Sequence, residues 1–116
     1  MAMKLGNTKT EREFREQMSA SKEALLFDRS CARLRSAIEA HYADFESGCV
    51  LHWTEEQCED IFVLLVNGPK LMSVELDRFE ESTPPVVESI SMAEYRKGLK
   101  KINQIRLAVA LEVISE

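Results

Sequence analysis

Glycine and proline are scarce in this chain of 116 residues, at four and three respectively. That scarcity argues against both a disordered segment and a turn-rich β sandwich. No apolar run approaches the roughly 18 residues that cross a bilayer, and Met1 to Thr10 lacks the apolar core of a secretory signal, so a cytoplasmic protein without membrane contact is expected. Cysteine is sparse too. Cys31, Cys49 and Cys58 are odd in number and share no repeated spacing, which suits reduced thiols better than a disulfide framework. Catalytic signatures are missing: there is no glycine-rich phosphate loop, no G-x-S-x-G, no H-E-x-x-H and no Glu-x-x-His of the kind used by helical di-metal sites. Neither a cofactor nor an enzyme is expected.

What the chain does contain is 45% hydrophobic residues and 30% charged ones, enough for one domain with its own core. The domain is expected over 1–116, with Met1 to Lys9 as a flexible lead-in. Ile105 to Ile114 is apolar on nearly every side, interrupted only by Arg106 and Glu112, as befits a helix covered by neighbours. Ser91 and Glu94 form an S-x-x-E capping box ahead of it, and Tyr95, Leu99, Ile102, Ile105 and Val109 follow at the spacing of a buried helix face. This segment, Ser91 to Ser115, is expected to be the central helix of an all-α, single-domain bundle of four to five helices.

The rest of the chain is read in the same way. Thr10 with Glu13 suggests a helix starting near Glu11, with a kink at Ser19 to Ser21. Phe27, Cys31, Leu34, Ile38, His41 and Phe45 form a heptad-like seam, which predicts a long helix over Lys22 to Ser47 stopped by Gly48. Thr54 and Gln57 suggest a further cap, and Ile61 to Val66 a helix ending at Asn67-Gly68-Pro69. Lys70 to Glu81 fits a helix better than a strand, because a lone strand would leave its backbone unpaired unless Pro85 to Ile90 ran beside it.

Two small constellations could carry chemistry. Cys49-x-x-His52, with Cys58 further on and Cys31 or His41 as additional donors, offers zinc-type ligands without the paired spacing of structural zinc sites. The favoured reading places Cys31 and Cys58 in the core and Cys49 and His52 in a loop, and expects no metal. Arg35 and His41, five residues apart, resemble the R-x4-6-H motif of the HEPN ribonucleases. That resemblance implies an all-α fold and a composite, metal-independent RNA-cleaving site shared by two subunits. An imidazole would move the 2′-hydroxyl proton while a guanidinium held the phosphate.

Charge is segregated along the chain. Met1 to Arg35 carries plus three, Ser36 to Glu94 minus eleven, and Tyr95 to Glu116 plus three, for a net charge of −5. A surface of one sign attracts its opposite and repels its like, so a basic protein is the expected partner and nucleic acid is not. The acids concentrate in Glu55, Glu56, Glu59 and Asp60, then in Asp77, Glu80 and Glu81, with Trp53 at the rim as a candidate anchor. The expected function is therefore a small acidic binding protein that neutralises a basic partner, such as an immunity protein or antitoxin against a nuclease-type toxin. A secretion chaperone fits the same features, a homodimer is compatible with them, and the HEPN-like ribonuclease is the enzymatic alternative.

Overall fold

The computed structural model describes residues 5–116. At its centre is a sheet rather than a helix: β1 (Gly48–Glu55), β2 (Glu59–Val66), β3 (Lys70–Asp77) and β4 (Val86–Ile90) form an antiparallel meander in the order β1-β2-β3-β4. Around it lie α1 (Lys9–Phe27), a 3-10 turn (Arg29–Cys31), α2 (Ala32–His41), α3 (Met92–Arg96) and α4 (Lys101–Ile114). The expected all-α bundle with a central C-terminal helix is thus corrected to a mixed α/β architecture, and α4 is one layer over the sheet.

Both faces of the sheet are covered, which explains why its strands did not advertise themselves by alternation. Cys49, Leu51, Leu65 and Leu71 pack against Phe14 and Met18 of α1 and Leu107, Ala110 and Val113 of α4. On the other face Leu64, Val66, Met72 and Val74 meet Leu25, Leu34, Ala37 and Ile38. Consecutive residues of β2 therefore enter two different cores, and Leu64, Leu65 and Val66 are all buried. Such a strand reads as an unbroken apolar run, with no period to separate it from a buried helix.

Element boundaries follow from local chemistry. Thr8 caps α1: its side chain accepts from the Glu11 N–H while the Glu11 carboxylate accepts from the Thr8 N–H, so the helix starts at Lys9. It runs unbroken through the Ser19 to Ser21 segment expected to kink. Of the expected flexible lead-in, residues 1–4 lie outside the described residues. The long helix expected over Lys22 to Ser47 is instead interrupted at Asp28, whose extended backbone ends α1 and whose carboxylate accepts from the Ser30 N–H and hydroxyl.

Asn67-Gly68-Pro69 does mark a boundary, though it joins two strands. Asn67 and Gly68 both adopt positive φ, at 53° and 119°, and the Asn67 side chain accepts from the Glu46 and Ser47 N–H groups and donates to the Asp44 carbonyl. The helix expected over Lys70 to Glu81 is corrected to a strand, because a partner does run beside it: Leu71 lies opposite Ile90 and Glu75 opposite Val86. Ser91 caps a helix as expected, but that helix stops at Arg96 because Gly98 turns the chain at a φ of 74° before α4 begins. Along the expected buried face, Val109 is fully buried, Tyr95, Leu99 and Ile105 are partly so, and Ile102 is 46% exposed. No helix among the described residues is long and apolar enough to cross a membrane.

Candidate functional site

An antiparallel meander brings alternate strand ends together, and here that gathers the two acidic clusters at one end of the sheet. Glu55 at the end of β1 lies opposite Asp60 at the start of β2, and Glu59 lies opposite Asp77 at the end of β3. Glu56 sits in the β1–β2 turn, while Glu80 and Glu81 follow β3 in the loop to β4. The segments expected to be helices are strands here, and a hairpin and a strand end create this juxtaposition. Like charges directly opposite on neighbouring strands destabilise the pairing.

Arg78, which the sequence reading did not single out, relieves part of that repulsion. Its guanidinium donates to Asp60 Oδ1 at 2.7 Å and lies 3.7 Å from the Glu55 carboxylate. The Arg78 hydrogen bond, with help from Trp53 and against some desolvation, holds the Asp60 carboxyl below its ordinary pKa. Asp77 is occupied differently: its carboxylate accepts from the Phe79 and Glu80 N–H groups to shape the turn, and its carbonyl accepts from Arg33. Glu80 accepts from Ser82. Glu56, Glu59 and Glu81 have no ion pair among the described residues.

Trp53 stands on this end, and its placement depends on an irregularity in β1. Val50 pairs with Leu64 but His52 pairs with Val63, so Leu51 is an extra residue in the ladder. Such a bulge resets the alternation of faces, and Trp53 comes to lie opposite Phe62 on the α2 side of the sheet. The two rings stack at 5.9 Å with 10° between their planes. Trp53 remains 58% exposed, with its indole N–H donated to Asp60 Oδ1. Phe79, also missed from sequence, is 75% exposed in the same loop as Glu80 and Glu81. The signal available for it was an aromatic residue amid acids, with no periodic partner.

The other candidates are scattered. Cys49 is buried, its thiol pushed up to about 11 by desolvation, whereas Cys58 is exposed in the hairpin turn and Cys31 is half-buried; all three are free thiols. The expectation of Cys58 in the core and of Cys49 and His52 in a loop is corrected accordingly, since Cys49 and His52 both stand on β1 and Cys49 is the core residue. Among the described residues no group of three or more Cys, His, Asp or Glu is arranged to hold a metal ion. Arg35 donates to the Leu25 carbonyl, and His41 is exposed at the end of α2, in a fold that is not the all-α one implied by the HEPN resemblance.

No family model matches the chain, and no curated protein or solved structure matches it.

Proposed function

We propose that this is a binding protein whose acidic sheet end docks a basic surface of another protein, in the manner of an inhibitor such as an immunity protein or antitoxin. The supporting observation is the cross-strand meeting of like charges, Glu59 opposite Asp77 and Glu55 opposite Asp60, beside two exposed aromatic rings. A sheet end shaped for stability alone would alternate charge signs there. Its carboxylates would attract and orient a cationic partner, and Trp53 and Phe79 would supply the desolvated contact area that holds it. Trp53 is preorganised for this by the Phe62 stack and its bond to Asp60, so little side-chain freedom is lost on docking.

The test uses the unpaired acids, which can be reversed without touching the Arg78 network. Glu56→Lys, Glu59→Lys and Glu81→Lys, combined, should slow association with the partner at least tenfold while the chain stays folded. Wild-type association should also fall steeply between low and physiological salt. An acidic partner, or an association rate indifferent to both salt and the triple reversal, would overturn the proposal.

A further inference from the structure

On the opposite face of β1, one residue before Trp53, a second polar cluster has the opposite sign. Arg106 of α4 lies part-buried, its guanidinium carbon 4.9 Å from the centre of the Phe14 ring. Its Nη1 donates to Asn103 Oδ1 at 3.1 Å and lies 3.4 Å from His52 Nδ1. The His52 ring in turn lies 6.4 Å from that of Tyr95. Three elements, α1, β1 and α4, therefore meet at one guanidinium, with Tyr95 of α3 beside His52, and among the described residues no carboxylate pairs with it.

That is unusual for this molecule's half-buried arginines. Arg15 pairs with Glu112 and Glu116, Arg78 with Asp60 and Glu55, and Arg33 and Arg35 each donate to a backbone carbonyl. Arg106 alone among these five is held only by neutral side chains and an aromatic face. A guanidinium has five N–H donors, and the two contacts above involve Nη1 only. The other donors are not sealed in, since no side-chain polar atom is both fully buried and unpartnered among the described residues. A partly desolvated cation with free donors gains most from a ligand that brings a negative charge and acceptor oxygens together.

His52 is set up to assist. Burial first, and then the Arg106 charge, hold its pKa below the ordinary histidine value, so the ring is neutral at pH 7. Facing the guanidinium, Nδ1 is the acceptor and the proton resides on Nε2, so the ring adds no second positive charge beside Arg106 and holds one edge of the guanidinium in place. The groups facing the imidazole are Arg106 from α4 and Tyr95 from α3, with Val63 beside it on β2. None of these is an acid.

We infer that Arg106, with His52 and Tyr95 beside it, forms an oxyanion-binding site, taking a carboxylate or a phosphate group on the guanidinium donors other than Nη1. It stands apart from the acidic sheet end, from which an anion would be repelled, and does not depend on that reading.

The experiment is a titration of the full-length, isotope-labelled protein with sodium acetate and, separately, with inorganic phosphate, followed by NMR at constant ionic strength set with chloride. Expected are saturable shifts of the Arg106 Nε–H and the His52 and Tyr95 ring signals, and a His52 that titrates at higher pH when the anion is bound. The stronger of the two anions identifies the source as carboxylate or phosphate. Arg106→Gln should weaken binding at least tenfold, and Arg106→Lys, which keeps the charge, should weaken it less. Absence of a saturable shift beyond the chloride control, or binding undiminished in a folded Arg106→Gln protein, overturns the assignment.

Discussion

Gly48 shows how closely one residue can be fixed by its surroundings. A Cβ there would stand 2.7 Å from the Leu65 carbonyl oxygen and 2.8 Å from Leu25 Cδ2, so α1 and β2 already occupy the space a side chain needs. Gly48→Ala should destabilise the fold by about 1–3 kcal/mol in denaturant unfolding, the usual range for overpacking. The sequence marked this glycine as a helix stop, whereas its role is to let a strand approach a helix. Glu11 is the corresponding case for charge. Its carboxylate accepts from the Gly6 and Thr8 N–H groups, and the Gly6 bond above all holds its pKa below the ordinary value of 4.5. A pKa depressed by folding means that stability is full above the unfolded value and is lost as pH falls through the folded one. Acid unfolding of Glu11→Gln should therefore show a weaker pH dependence below about pH 4.5 than the parent chain, and identical profiles would show that the cap contributes nothing.

At the scale of elements, α4 is anchored from outside itself. Lys22 of α1 donates to the carbonyls of Val113 and Glu116, setting a cation at the negative end of the helix dipole. Lys22→Ala should cost about 0.3–1 kcal/mol and speed amide exchange in the last turn of α4. The helices were legible where local signals were strong: Ser91 does cap, and Val109 is buried in a helix as its pattern implied. The strands were not. Thr54 and Gln57 look like a capping box, but Thr54 pairs with Ile61 across a hairpin, because the two strands it joins carry Cys49, Leu51, Leu64, Leu65 and Val66 into cores on both faces of the sheet. A capping pattern is satisfied by four residues, whereas a ladder is satisfied only by a partner strand, and sequence spacing does not show the partner.

For the molecule as a whole, the acidic end ties stability to binding. Glu59→Lys places a cation opposite Asp77 in place of a like charge, which should raise stability by about 0.2–1 kcal/mol even as it weakens association with a basic partner. A thermal melt showing the variant clearly less stable would mean that Glu59 has a structural role instead. Much of that end was visible beforehand, since Trp53 and the seven acids fall in two short stretches of sequence. Arg78 and Phe79 were not, because their importance lies in what surrounds them. The Arg106 cluster was invisible for the same reason: Phe14, His52, Tyr95 and Arg106 come from four separate elements.

Composition and charge order along the chain determined that the protein is a single acidic chain with a substantial core, with its carboxylates concentrated in two stretches and with breaks at Asn67-Gly68 and Ser91. These are properties of local residue chemistry, and they hold whatever the chain packs against. Tertiary structure alone decided that Ile61 to Val66 is a strand, that the acids share one end of a sheet, and that Arg106 meets His52. An apolar run buried on both sides has no period of its own, so its conformation is chosen by the layers that cover it.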